Sequence, residues 1–289
     1  MRNKGETGVE YNHLYNLKPS DYMYPGEDNA FNLIRKVPLW DKLMNEYWGF
    51  VISSNELPNA QADYYRVTEK SCKHVHDIFE LAKARLDIQQ DIPLFIKPDF
   101  DFNACAYGGG SPFIIIHSSF VKNCSDEELL FILGHELGHI KGEHLIGKRM
   151  VIMLSDLIGK TSSVGALISS GLILPLYDWM RMMEFSADRA GAIAAGSPDN
   201  ALQGVQLLLG VHDKLAHVHV TQEDLLTQHE SYQTELENPI SKLLITLELL
   251  TSSHPWSVDR IYEMNKWKES GEFEKLIAEK AQRSEAKGD

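Results

Sequence analysis

The chain has 289 residues, of which 28 are Lys or Arg and 41 are Asp or Glu, so its formal net charge is −13. A chain this acidic is a poor non-specific binder of nucleic acid, because the phosphate backbone requires a basic face. Hydrophobic residues at 43% and charged residues at 24% are typical of a globular protein and not of a disordered one.

Cysteine usage and the start of the chain bear on the compartment. The three cysteines, Cys72, Cys105 and Cys124, form no Cys-x-x-Cys pair. This argues against a disulfide framework or a thiolate zinc site and favours a reducing compartment. Residues 1–15 contain no apolar stretch of the kind found in signal peptides. We therefore expect a cytoplasmic protein.

Residues 1–60 predict an N-terminal extension. The first 30 residues are polar and loop-like, and short helices are expected around Phe31–Arg35 and Trp40–Ile52, with Pro58 closing the second. A long amphipathic helix is then predicted from Ala62 to Leu86, because apolar residues recur there at helical spacing.

A short β region follows this helix. Ile92–Lys97, Asn103–Tyr107 and Phe113–His117 read as strands, and a glycine-rich turn at residues 108–112 joins the last two. Beyond residue 140 the chain reads as mostly helical. Residues 161–177 carry no charge, but they fall short of the about 20 apolar residues of a spanning helix. They predict a buried helix or helical hairpin rather than a membrane contact.

The helix after the β region carries the most informative motif. Ser125 and Glu128 form a capping box ahead of an apolar run that leads into His135-Glu136-Leu137-Gly138-His139. Two histidines four apart on a helix differ by about 40° in azimuth, so both imidazoles can reach one metal ion. Neutral imidazole suits Zn²⁺, and Glu136 can reach a water at the metal without being a ligand.

The neighbouring glycines support a buried site. Gly134 and Gly138 lie four apart and thin one face of the helix, which allows close approach by another element. A buried pair of histidines without a partner is costly, and a metal ion removes that cost.

A hydrolytic zinc site needs a third protein ligand. Glu184 is favoured, because it lies among apolar residues of a helix predicted from Asp178 to Ala195. Asp188 lies four residues later on the same face, where it can hold a ligating imidazole by its second nitrogen. The other downstream candidates are His144, the pair His217 and His219, His229 and His254. On a continuing helix His144 would point about 140° away from His139, which argues against His144 as a ligand of the same metal ion.

These elements resemble the HtpX-type and CAAX prenyl endopeptidase family of zinc metallopeptidases, the gluzincins. The matching elements occur in the order of that family, over roughly residues 65–265. They are Asn103-Ala104, the zinc motif with His144 beyond it, Arg181-x-x-Glu184-x-x-x-Asp188, and Ser253-His254-Pro255 followed by Arg260.

The resemblance implies a role for each matching residue. His135, His139 and Glu184 would bind one Zn²⁺ per chain, with Glu136 as the general base. Asp188 would orient His135, while Arg181 and Arg260 would pair with carboxylates near the site. His254 would stabilise the oxyanion or lie over the metal as a lid. A polypeptide substrate would add to the edge strand formed by Asn103, Ala104, Cys105, Ala106 and Tyr107.

The expected fold is α+β and predominantly α-helical, with a small mixed or antiparallel sheet whose edge strand borders the cleft. The predicted division is an extension (1–60), a zinc metallopeptidase domain (61–270) and a charged, solvated tail (271–289). The chain lacks the clear spanning helices of the membrane members of that family. Two alternatives remain open: a latent or non-catalytic zinc-binding protein with His254 on the metal, and a membrane-peripheral protease.

Overall fold

A computed structural model describes residues 11–36, 56–108, 111–145, 173–209, 220–249 and 256–281. Helices dominate these ranges, and four short strands form one mixed sheet. This confirms the prediction of a predominantly helical α+β fold. The described helices are α1 Glu27–Ile34, α2 Glu56–Asp63, α3 Lys73–Arg85, α4 Ser118–Asn123, α5 Asp126–Lys141, α6 Ile173–Ala195, α7 Pro198–Leu208, α8 Gln222–Leu236, α9 Pro239–Leu249, α10 Ser257–Ser270 and α11 Glu272–Ala281.

The strands are β1 Tyr65–Arg66, β2 Leu94–Lys97, β3 Ala104–Tyr107 and β4 Phe113–His117, in the spatial order β1-β2-β4-β3. β2 and β4 run parallel, and the two outer pairs are antiparallel. The register pairs Ala104 with Ile116 and Ala106 with Ile114. β3 and β1 are therefore the edge strands of the described sheet, and β3 packs against α5.

The apolar strands β2 and β4 are buried on both faces. Ile114 and Ile116 belong to the main core, formed with residues of α3, α5 and α6. Phe113 and Ile115 point to the other face, where they meet Ala60 of α2. Burial on both faces explains why β4 reads as a continuous hydrophobic run instead of an alternating one.

Helices α5 and α6 make the most extensive contact between described elements. Gly134 of α5 faces Ala194, and Gly138 faces Ala190. A Cβ atom at Gly138 would lie 2.6 Å from the Ala190 Cβ, which is too close for packed atoms. The two glycines thus allow the close helix approach expected from their spacing.

The predicted helix from Ala62 to Leu86 is wrong in its first half. The chain forms β1 at Tyr65–Arg66, which pairs with β2, and then turns through a Thr68–Ser71 bridge. Cys72 adopts a left-handed conformation, with φ of 52°, immediately before α3 begins. Strand pairing therefore overrides helical periodicity in this segment. A separate helix, α2, begins at Glu56 and includes Pro58 in its first turn.

Both ends of the described chain contribute to the main core. Tyr11, Leu14, Leu17 and Tyr22 belong to it, although this segment reads as polar in sequence. Residues 272–281 form α11, whose Phe273, Leu276 and Ile277 are buried. The reading of this part as a solvated tail is wrong, because its apolar residues lie on one face of a helix. The division into an extension, a domain and a tail stays a prediction.

Two predictions lie wholly or largely outside the described residues. These are the helix at Trp40–Ile52 and the uncharged stretch 161–177, of which α6 contains only the last five residues. Among the helices of the described ranges, none is both long and apolar enough to cross a bilayer.

Candidate metal centre

The site begins with the way α5 enters the core. Ser125 accepts a hydrogen bond from the Glu128 backbone N–H at 3.2 Å, and Glu128 accepts one from the Ser125 backbone N–H at 2.7 Å. This confirms the predicted capping box. The helix then carries His135, Glu136 and His139 into the interior, where each is at most 3% exposed.

Helix α6 supplies a third donor opposite the two histidines. The Nε2 atoms of His135 and His139 lie 3.0 Å apart. One Glu184 oxygen is 3.4 Å from His135 Nε2, and the other is 3.3 Å from His139 Nε2. A donor atom from each of these three buried side chains lies within 4.8 Å of the other two.

This arrangement fits a zinc ion. Two ligands at 2.0–2.1 Å from a tetrahedral ion lie about 3.3 Å apart, close to the observed separations. Two imidazole nitrogens and one carboxylate form the donor set of several hydrolytic zinc sites. His135, His139 and Glu184 can therefore hold one metal ion between α5 and α6.

A carboxylate and a guanidinium stand behind His135. The His135 Nδ1 lies 2.9 Å from Asp188 Oδ1, so Nδ1–H donates to the carboxylate and Nε2 faces His139 and Glu184. Arg260 of α10 donates to both Asp188 oxygens, from Nε at 2.8 Å and from Nη2 at 2.6 Å. Its Nη1 lies 3.6 Å from Glu184 Oε2.

These contacts set the protonation of the site. Burial favours neutral Asp188, but the charge and hydrogen bonds of Arg260, together with the hydrogen bond from His135, outweigh burial and lower the pKa of the Asp188 carboxyl. Burial also opposes protonation of His135, but its hydrogen bonds to Asp188 and Glu184 outweigh that effect and raise the pKa of the imidazole. Asp188 therefore remains ionised behind the first histidine.

Glu136 bridges the metal centre and the edge strand. Its Oε2 accepts a hydrogen bond from the Ala106 backbone N–H at 2.6 Å, and its Oε1 lies 4.0 Å from His135 Nε2. The Glu136 carboxylate thus lies beside His135 but is not one of the three candidate metal ligands. The sequence carries no signal for the Ala106 contact, because it depends on how β3 packs against α5.

The other residues predicted for the edge strand have separate places. The Asn103 carbonyl accepts a hydrogen bond from the His117 N–H at 2.9 Å, which extends the pairing between β3 and β4. Ala104 and Ala106 face the main core, whereas Cys105 and Tyr107 are partly exposed.

His139 has a partner that sequence reasoning missed. Its Nδ1 lies 3.1 Å from Nδ1 of His144, and His144 Nε2 lies 2.9 Å from Oε1 of Glu27 in α1. His144 is not a member of the ligand group, in agreement with the azimuth argument. α5 ends at Lys141, however, and a left-handed Glu143 turns the chain back beneath His139.

The remaining candidates lie elsewhere. Arg181 Nη1 is 3.4 Å from Oδ2 of Asp259, the neighbour of Arg260 in sequence. His229 Nδ1 is 3.0 Å from the other Asp259 oxygen, so it lies beside this aspartate and not in the ligand group. The pair His217 and His219, and His254, lie outside the described residues.

Comparisons with known proteins indicate the family of the chain. The model of peptidase family M48 matches residues 70–268. A relative from Arabidopsis thaliana, a plastoglobule-localized chloroplastic metallopeptidase 48, is 24% identical over 262 residues, which is 90% of this chain and 76% of the relative. No solved structure matches. The family match spans the strands β2 to β4, both ligand helices and Arg260, and the chain belongs to peptidase family M48.

Proposed function

We propose that this metallopeptidase is a zinc-dependent endopeptidase that hydrolyses internal peptide bonds of extended or unfolded polypeptides. The observation that carries the proposal is the convergence of His135, His139 and Glu184 next to the Glu136 carboxylate. Each of these four side chains is at most 4% exposed. Such burial is costly for ionisable groups that have no common partner.

In the proposed reaction, the metal ion, Glu136 and the Ala106 N–H have separate roles. The chemistry that zinc supplies when bound is Lewis acidity, which polarises a peptide carbonyl and makes water acidic enough to attack near neutral pH. Glu136 takes the proton of the attacking water and then delivers it to the leaving amine. The Ala106 N–H, which donates to Glu136 Oε2, holds the base beside the cleft.

The proposed substrate site is the outer edge of β3. Among the described strands β3 pairs with β4 alone, and an extended peptide would lie along the other side of β3 and add to it through backbone hydrogen bonds. Backbone recognition carries little sequence information, which favours extended or unfolded polypeptides as the substrate class. The acidic net charge of the chain gives no support to a nucleic-acid partner.

The test is Glu136→Gln in the purified, zinc-loaded chain. Cleavage of casein, and of a peptide blocked at both ends, should fall by about 100-fold or more, because the water loses its general base. Zinc content, measured by atomic absorption, should stay at the wild-type level. The blocked peptide separates endopeptidase from exopeptidase activity.

The matched control is Glu127→Gln, an exposed glutamate on the same helix, which should cleave at the wild-type rate. Glu184→Ala should lose zinc. Full activity in Glu136→Gln would refute its role as the base, and an intact zinc content in Glu184→Ala would remove Glu184 from the ligand set.

A further inference from the structure

We propose that His144 and Glu27 form a positioning chain that fixes His139 for metal binding, and that the N-terminal segment thereby forms part of the metal centre. The proposal rests on the zinc site of the proposed function. Glu27 belongs to α1 and lies outside residues 70–268, which match the family.

Four buried side chains are in contact one after another, namely those of His139, His144, Glu27 and Ser186. His139 contacts His144, His144 contacts Glu27, and the Ser186 hydroxyl donates to the second Glu27 oxygen. All four are at most 3% exposed. The Ser186 hydroxyl also accepts a hydrogen bond from the Tyr24 backbone N–H at 2.8 Å.

We infer the position of each proton from which ring nitrogen faces which partner. His139 Nε2 faces Glu184 and His135, so metal binding uses the Nε2 lone pair and leaves the ring proton on Nδ1. That proton can only be shared with His144 if the His144 Nδ1 accepts it. His144 then carries its own proton on Nε2, where the Glu27 carboxylate lies 2.9 Å away.

The two ligating histidines are thus supported in parallel ways. Asp188 holds His135 Nδ1 directly, and Arg260 holds Asp188. His139 is held through a second imidazole, which spans the distance to a carboxylate on another helix. A hydrogen-bonded second nitrogen fixes the ring orientation and raises the basicity of the ligand.

The turn after α5 is built to place His144. Glu143 has a φ of 58°, and the His144 backbone N–H donates to the His139 carbonyl at 2.9 Å. A Cβ atom at Gly142 would lie 2.7 Å from Cε1 of the His144 ring, so the ring packs where another residue type would clash. Gly142 therefore makes room for the positioning imidazole.

The experiment measures the zinc dissociation constant by chelator competition in the full chain. His144→Leu should weaken zinc binding by about 10- to 100-fold, the usual range for loss of a partner behind a ligand. His144→Asn should restore most of that loss, because its amide oxygen can take the place of the Nδ1 acceptor. A purely structural role would not distinguish these two variants in this order.

Two matched controls accompany these variants. Glu27→Ala should weaken zinc binding, whereas Asp28→Ala, its exposed neighbour on α1, should not. His74→Asn changes a histidine whose side chain is 73% exposed, and it should bind zinc like the wild type.

A second measurement needs no variant. In the zinc-loaded wild type, ¹⁵N-edited NMR should find His139 protonated on Nδ1 and His144 on Nε2. A proton on Nδ1 of His144, or His144→Leu with wild-type zinc affinity, would overturn the positioning chain while leaving the zinc site intact. A wild-type chain that binds no zinc would overturn the proposed function and this inference with it.

Discussion

Arg260 is fully buried, and its environment explains how a cation is tolerated there. Burial disfavours the charged guanidinium, but the Asp188 carboxylate, together with the charges of Glu184 and Glu136, outweighs burial and raises the pKa of Arg260. The planar guanidinium matches both carboxylate oxygens at once, which a lysine ammonium cannot do. One buried cation therefore balances Asp188 and lies beside Glu184 as well.

Arg260→Met should lower the free energy of unfolding by about 3–5 kcal/mol, because it leaves Asp188 as a buried charge without its cation. Urea denaturation of the metal-free chain measures this change. The free energy of unfolding of Arg260→Lys should lie between those of the wild type and Arg260→Met, since lysine keeps the charge but loses the bidentate contact.

The control is Arg66→Met, which removes an exposed arginine of β1 and should change stability by less than about 0.5 kcal/mol. The double variant Arg260→Met/Asp188→Asn should recover part of the loss, because position 188 then carries no buried charge without its cation. Equal stability of Arg260→Met and Arg66→Met would contradict the argument.

Residues within one helix could be placed from the sequence, and contacts between distant elements could not. The four-residue spacing of His135 and His139 fixes their common face, and the same holds for Glu184 and Asp188. Glu27 reaches the site only through a turn that ends α5 early and through the docking of α1 on α6. Neither event leaves a periodic signal in the sequence.

The packing of α5 against α6 brings together the three candidate metal ligands, because α5 carries the two histidines and α6 carries Glu184. The distance between their axes sets how far the carboxylate stands from the imidazoles. Gly138 and Ala190 meet where the helices approach closely. Helix separation and ligand geometry are therefore coupled.

Gly138→Ala should lower stability and weaken zinc binding together. Alanine has the better helix propensity by about 1 kcal/mol, but overpacking a close contact costs about 1–3 kcal/mol, so the loss prevails. The added Cβ would lie 2.6 Å from the Ala190 Cβ and 3.2 Å from the Ala187 Cα. Urea denaturation and chelator competition measure the two effects.

The matched variant for this contact is Gly138→Ala/Ala190→Gly, which moves the Cβ from one helix to the other. It should regain zinc affinity relative to Gly138→Ala, because the closest clash is removed. A Gly138→Ala protein with unchanged stability and unchanged zinc affinity would show that the helix separation does not constrain the site.

The β region shows how an element escapes sequence analysis. Apolar residues at helical spacing favour one helix from Ala62, yet Tyr65 and Arg66 pair with Ile96 and Phe95. Aromatic residues suit strands, and a two-residue strand is too short to give a period of two. The longer run Phe113–His117 was predicted with its observed bounds.

At the scale of the whole molecule, the N-terminal segment, residues 11–36, makes hydrogen bonds and ion pairs with distant parts of the chain. Arg85 donates to the Tyr11 carbonyl at 3.1 Å and to the Ala194 carbonyl at 2.6 Å, which joins the segment to α6. Lys280 of α11 pairs with Asp21 at 2.6 Å. Because the same segment carries Glu27, its docking bears on the metal centre.

Lys280→Met should lower the free energy of unfolding by about 0.5–1 kcal/mol near pH 6, since the pair is only partly buried. Burial raises the pKa of Asp21, but the hydrogen bond from Lys280 contributes to a net lowering below the ordinary value of 3.8. A carboxyl with a lowered pKa stabilises the fold above its unfolded pKa and loses this contribution as the pH falls through its folded pKa. The difference between the variant and the wild type should therefore be constant from pH 6 to pH 5 and shrink below about pH 4.

Urea denaturation at pH 6, 5, 4 and 3 measures this difference, with Lys275→Met, an exposed lysine of the same helix, as the control. Lys280 also donates to the Asn16 carbonyl at 3.2 Å, and this contact does not titrate. A small difference should accordingly persist at pH 3, while the part that vanishes reports Asp21. A difference that stays the same at all four pH values would mean that the Asp21 charge does not stabilise the docking of the N-terminal segment. In that case the buried apolar residues of the segment and the Arg85 hydrogen bonds would account for the position of Glu27.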